Sequence, residues 1–269
     1  MSDLSDDLAS AGLVSRLRRE FTFQISVDTD NLQQGLVVAA AALAGGTTIL
    51  EMGTPLLKLE GVLNVVPAFR RHFPSALLLA DMKTMDGGAG EARAVFAAGG
   101  NIIDFLSLAG PATARNICFV RDEFRRTPPG LPRLVFADIL LPQQGPAAQA
   151  VDVARRMLDA GVDGVGLHLQ FDARLADPAL FRSSYLADVA HAVFEQVGRT
   201  ASVQIVGGLT TEQAGALARA GLRAFVISGN LGMADGVARY GLPPADIERH
   251  IAAFIAAVEK SGNAGPGLI

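Results

Sequence analysis

Cysteine is nearly missing from this 269-residue chain. Cys118 stands alone, so no internal disulfide framework can form, and the composition fits a reducing compartment. Long hydrophobic runs are missing too: the longest, Leu36 to Ala44, falls far short of the ~20 residues a membrane helix needs. There is no excess of basic charge. Lys and Arg number 23 against 27 Asp and Glu, a net charge of −4 that offers nucleic acid and anionic membranes no general attraction. The opening MSDLSDDLAS is acidic and polar, the opposite of a secretory leader, so a cytoplasmic protein is expected. Cysteine-based metal motifs, nucleic-acid motifs and a Ser-His-Asp pattern are absent, and no G-x-G-x-x-G follows the first apolar run. Half of the residues are hydrophobic, which is ample material for a buried core.

What the chain does have is a rhythm. An alanine-rich helical run, a glycine and a short apolar run recur as AALAGGTTILEMG, VFAAGGNIIDFLSL, MLDAGVDGVGLHL and LARAGLRAFVISG. The punctuating glycines Gly45, Gly99, Gly161 and Gly221 are 54, 62 and 60 residues apart. A βα unit takes roughly 30 residues, so each interval holds two. Between these strands lie FQISVD (23–28), ALLLADMK (76–83), RLVFADIL (133–140) and SVQIVGG (202–208), with helical patterns at 88–98, 147–160 and 211–220. The strand runs are apolar throughout rather than alternating, as strands covered on both faces should be. Eight βα repeats predict a single-domain (β/α)8 TIM barrel over residues 21–260. The rival, an open doubly wound sheet, lacks its glycine fingerprint. Residues 1–20 read as an extension with a capping helix from Leu13 to Arg19, and residues 261–269 as a flexible tail.

Barrel enzymes place their chemistry at the C-terminal ends of the strands. Those ends carry Asp28, Glu51, Asp81 with Lys83, Asp138, His168, Gly207-Gly208 and Gly229-Asn230. Asp28 and Asp138 have a plainer reading as helix caps. In an extended strand Asp81 and Lys83 share a face, and a lysine held among carboxylates stays charged and can stabilise developing negative charge. Glu51 and Asp81, on adjacent strands, are a candidate pair for one Mg2+; a structural salt-bridge cluster is the alternative. Gly208, Gly229 and Asn230, after strands seven and eight, suit a phosphate, and Leu209-Thr210-Thr211-Glu212 reads as a helix start with a capping Thr. His168 is a candidate proton shuttle, whereas His72, His191 and His250 fall on helices.

These residues carry a resemblance. Asp81-x-Lys83-x-x-Asp86 is similar to the hallmark of the orotidine monophosphate decarboxylase superfamily, and the likeness runs from Phe21 to about Gly232. The branch it resembles holds 3-hexulose-6-phosphate synthase and 3-keto-L-gulonate-6-phosphate decarboxylase. Glu51-Met52-Gly53-Thr54-Pro55, the run from Ala80 to Gly88, and Glu91 look more like the synthase. The decarboxylases carry an arginine three residues after the histidine, where this chain has Phe171, and Gly-Arg where it has Gly229-Asn230. After His168 the synthases also differ, and 173–185 matches neither. The resemblance implies a homodimeric, Mg2+-dependent aldolase that joins ribulose 5-phosphate to formaldehyde through an enediolate. It also implies that Lys83, His168, Asp28 and a partner subunit's Asp86 share each site. The alternatives are a decarboxylase of a 3-keto sugar-acid phosphate, and a silent barrel that only binds a sugar phosphate.

Overall fold

Eight short apolar segments form eight parallel strands: β1 (Thr22–Val27), β2 (Ile49–Met52), β3 (Leu77–Thr84), β4 (Ile102–Leu106), β5 (Leu134–Leu141), β6 (Gly164–Leu169), β7 (Ser202–Val206) and β8 (Ala224–Ile227). Each pairs with the next, and β8 returns to β1 with Thr22 opposite Ala224, closing the barrel in chain order. The structure, a computed structural model, describes residues 3–127 and 130–264. The fold is a single-domain (β/α)8 barrel.

The helices, in chain order, are α1 (Asp3–Arg19), α2 (Leu32–Ala44), α3 (Thr54–Glu60), α4 (Val62–His72), α5 (Gly88–Ala97), α6 (Gly110–Arg125), α7 (Ala147–Asp159), α8 (Phe171–Ala176), α9 (Pro178–Arg182), α10 (Tyr185–Val197), α11 (Thr211–Arg219) and α12 (Pro244–Asn263). The glycines that end the alanine-rich helices adopt the left-handed conformation only glycine takes cheaply: Gly99, Gly161 and Gly221 lie at φ of 102°, 100° and 102°. In the first repeat this residue is Gly46, at φ 102°, and not Gly45, which closes α2 in right-handed geometry.

Two apolar cores result. The larger fills the space between strands and helices. The smaller lies inside the barrel, where Ile49, Leu79, Ile102, Leu134 and Phe136 pack against Leu13 and Leu17 of α1. These barrel residues stand at the starts of β2 to β5, so α1 lies across the N-terminal end. Burying a leucine side chain contributes about 1.5–3 kcal/mol, so Leu13 and Leu17 hold the helix there. The helix is longer than the segment 13–19 that periodicity marks out. At the other terminus α12 continues through Ser261–Asn263, so the boundary expected at 260 falls inside a helix; Gly262 lies against the Phe21 ring. Residues 265–269 of the expected tail lie outside the described residues.

Candidate active site

Side chains along a strand return to the same face every second residue. Two residues above four members of the apolar plug, a polar group therefore enters the barrel: Glu51 above Ile49, Asp81 above Leu79, Asp104 above Ile102 and Asp138 above Phe136. On β6 glycines take the lower places, and a β-carbon at Gly166 would collide with the Asp138 carboxylate. His168 stands above Gly166, and its Nδ1 lies 2.7 Å from Asp138 Oδ2. Ser26 and Gln24 of β1 complete the ring by donating to Glu51 at 2.8 and 2.5 Å.

Lys83 joins Asp81 on one face, as alternation predicts, but at an irregular strand end. The β3–β4 register slips between Asp81 and Thr84, and Lys83 takes a left-handed backbone conformation at φ 46°. A side-chain-bearing residue there costs on the order of 1–3 kcal/mol and persists only where the surroundings enforce it. The kink turns the ammonium back into the barrel, with Nζ 2.5 Å from Asp81 Oδ2 and 3.7 Å from Asp138 Oδ2. Thr54, at the start of α3, donates to the same Asp81 carboxylate at 2.7 Å.

Charge and burial act together here. Burial alone would lower the Lys83 pKa, but Asp81, Asp138, Asp104 and Glu51 outweigh it and raise it, so the lysine stays protonated. Burial would likewise raise Asp138; His168 and Lys83 outweigh that and hold its carboxyl below the usual range. Glu51 and Asp104 are pushed well above theirs, first by burial and then by neighbouring carboxylates. The site thus sets Asp138, whose pKa is held down, apart from Glu51 and Asp104, whose pKa values are pushed up.

Lys83, His168, Asp81, Glu51 and Asp28 are brought together, as the sequence led one to expect. Asp28 stands at the open mouth just above β1, within reach of solvent, and accepts from Ser26 at 2.8 Å. A β-carbon at Gly53 would collide with its carboxylate, which accounts for the glycine between Met52 and Thr54. Asp86 lies apart from the cluster; it is exposed, and its carboxylate accepts from its own neighbour Gly87 at 2.8 Å. Thr210 caps α11 in a reciprocal capping box with Gln213. Gly207 and Gly208 take positive φ at the end of β7, and Gly208 N–H donates to Ser228 at 3.2 Å. Asn230 ties the two glycine loops together, its amide donating to the carbonyls of Gly208, Leu209 and Met233 at 2.9, 3.2 and 2.8 Å. Its side chain is a strut, which leaves backbone amides to meet an anion.

Asp104 has no counterpart among the residues singled out from the sequence. It brings a third carboxylate to Asp81 and Asp138, and oxygens of these three lie within 4.8 Å of one another. Asp104 Oδ1 and Asp138 Oδ1 are buried with no hydrogen-bond partner. Hard divalent cations take such oxygen ligands, so this donor set fits Mg2+. Of the expected pair, Asp81 belongs to it, while Glu51 turns its oxygens to Gln24 and Ser26.

Comparison with known proteins agrees with the geometry. A 90-residue stretch is 37% identical to 3-hexulose-6-phosphate synthase of Mycobacterium gastri, covering 34% of this chain and 42% of that protein. The synthase of Methylomonas aminofaciens is 29% identical over 174 residues, 64% of this chain and 73% of that one. The crystal structure of 3-keto-L-gulonate-6-phosphate decarboxylase from Vibrio cholerae shares the fold with a TM-score of 0.67 at 23% identity, over 90% of this chain and 98% of that one. Residues 22–230 match the model of one family, and the chain belongs to it: the orotidine 5'-phosphate decarboxylase / HUMPS family.

Proposed function

We propose that this protein is a carbon–carbon lyase that works as an aldolase, joining ribulose 5-phosphate to formaldehyde as its synthase relatives are named for doing. The observation that carries the reading is Lys83, held 2.5 Å from Asp81 and 3.7 Å from Asp138 Oδ2, with His168 Nδ1 2.7 Å from the same Asp138 oxygen. His168, oriented by the ionised Asp138, takes a proton from the carbon beside the sugar's carbonyl. The Lys83 ammonium stabilises the enediolate oxygens as negative charge develops. The sugar carbon then attacks the aldehyde carbon, and the proton passes from His168 to the new alkoxide. Asp28 at the mouth accepts hydrogen bonds from sugar hydroxyls, and the amides around Gly208 and Gly229 receive the phosphate. Mg2+, when bound, supplies further positive charge for the sugar oxygens, and Asp81, Asp104 and Asp138 would hold it.

The outward-facing Asp86 supports a homodimer in which each site borrows this residue from the partner. Exposed Met85, Leu59 and Leu63 offer apolar surface for such a contact. Cys118, a buried free cysteine whose thiol burial pushes up to about 11, is compatible with the cytoplasm.

The test is a screen of ribulose 5-phosphate with formaldehyde and larger aldehydes, beside 3-keto-gulonate 6-phosphate. Formaldehyde should be consumed only with the pentulose phosphate, and chelation should stop the reaction until Mg2+ is returned. Release of CO2 from the keto acid with no aldol product would favour the decarboxylase reading. Binding of ribulose 5-phosphate without any turnover would leave a sugar-phosphate-binding barrel. Mixed Lys83→Ala and Asp86→Ala proteins should regain about a quarter of normal activity if the site is shared; a dead mixture of confirmed hybrids would refute the sharing.

A further inference from the structure

The phosphate loops after β7 and β8 are glycines and an asparagine, and the Asn230 amide is committed to three carbonyls. A dianionic phosphate held by backbone amides alone lacks an opposite charge. Arg239, beside the β8 loop, is bound to Asp235 at 2.5 Å and to the carbonyls of Asn230 and Val237, so it braces its own loop.

A second arginine comes from an unexpected direction. After His168 the chain leaves the barrel and at once forms α8, and Arg174 on this helix turns back over the end of β7. Its Nη1 donates to the Gly207 carbonyl at 2.9 Å. The guanidinium lies so close to Gly208 that a β-carbon there would collide with Nη1. Phe171, one turn earlier, lies under the guanidinium with the ring centroid 5.4 Å away. An arginine over an aromatic face is held in plane at little entropic cost, and its flat fork suits phosphate oxygens. Arg174 is half-buried, so a contact with an anion is screened less than at an open surface.

We propose that Arg174 is the cation that binds the substrate's phosphate, making α8 part of the binding site and restricting the enzyme to phosphorylated sugars. The proposal rests on the sugar-phosphate reading above and adds a residue that Gly208, Gly229 and Asn230 do not supply. It also gives Phe171 a role as the platform that aims the guanidinium.

Binding, rather than turnover, separates this proposal from the reaction assigned above. Calorimetric titration of the wild-type protein should show ribulose 5-phosphate binding far more tightly than ribulose. Arg174→Gln keeps a donor for the Gly207 carbonyl but removes the charge. It should weaken ribulose 5-phosphate by about 10- to 100-fold, the worth of a charged hydrogen bond, and leave ribulose unchanged. Arg174→Lys should fall between, because it keeps the charge and loses the fork. Phenylglyoxal labelling of the wild-type protein, read by mass spectrometry, needs no variant: inorganic phosphate or ribulose 5-phosphate should protect Arg174, and ribulose should not. Undiminished preference for the phosphorylated sugar in folded Arg174→Gln, or labelling of Arg174 unaffected by phosphate, would overturn the proposal while the aldolase reading stands. A wild-type protein that does not distinguish ribulose 5-phosphate from ribulose would overturn both.

Discussion

Inside this barrel an apolar layer and an ionisable one lie two residues apart on the same strands. Ile49, Leu79, Ile102 and Phe136 form the lower layer with Leu13 and Leu17; Glu51, Asp81, Asp104 and Asp138 form the upper one. Both are closely buried, with every one of these eight barrel residues at 7% exposure or less, so burial does not distinguish them. The difference is compensation. The lower layer is sealed by α1 and needs only shape. The upper layer crowds four carboxyl groups around one ammonium and one imidazole, and the surplus negative charge must be balanced by protons or by a bound cation. The crowding shows in Glu51 and Asp104, whose carboxyls burial and neighbouring carboxylates push well above the usual range.

Removing the compensation should have the largest effect. Lys83→Met is expected to lower kcat by about 10²-fold or more. It also leaves Asp81 and Asp138 without their cation, a loss of about 3–5 kcal/mol in folding stability unless they take up protons. Denaturation across a pH series should therefore find the variant's deficit largest at neutral pH and smaller in acid. Turnover close to normal would remove Lys83 from the reaction, and a deficit independent of pH would remove it from the charge balance.

Damage to the lower layer should have a different signature. Phe136→Ala is expected to cost about 3–5 kcal/mol in stability through the cavity it leaves. At temperatures where the variant remains folded, KM should be unchanged and the pH–rate profile should keep its shape. A displaced profile would mean that the two layers are coupled.

The smallest effect is expected at Asp104. Asp104 has a folded-state pKa raised above its unfolded value, so its contribution to stability is complete below the ordinary carboxylate range and is lost as pH rises toward the raised value. Asp104→Asn removes that loss. Its stability should fall less than the wild type's as pH rises above the ordinary carboxylate range. Asp138 works in the opposite sense: its lowered pKa contributes stability above the ordinary range, lost as pH falls. Parallel pH–stability curves for wild type and Asp104→Asn would show that Asp104 is ionised throughout.

The sequence makes the barrel readable because parallel strands buried on both faces appear as unbroken apolar runs, and because helix ends are marked by glycine. It also points to Asp81, Lys83 and His168, since a charged residue at the end of such a run is conspicuous. Asp104 is missed for the same reason: Ile102-Ile103-Asp104-Phe105-Leu106 reads as one buried strand, and only closure of the barrel shows which face Asp104 occupies. Alternation puts Lys83 on the face of Asp81, but the register slip at that point of β3 leaves no mark in the sequence. Arg174 lies in a stretch without helical or strand periodicity, and its approach to Gly208 depends on where β6 and β7 fall in space.

The plug of α1 has a kinetic corollary. A vessel stoppered at the base has a single doorway, and the substrates and product proposed above would all use it. In the proposed reaction the phosphate is anchored beside β7 and β8, so the sugar's reacting end would lie inward and the small aldehyde would follow it. Traffic of that kind is last in, first out: the pentulose phosphate should lead the order of addition, and in the reverse direction the aldehyde should be the first to leave.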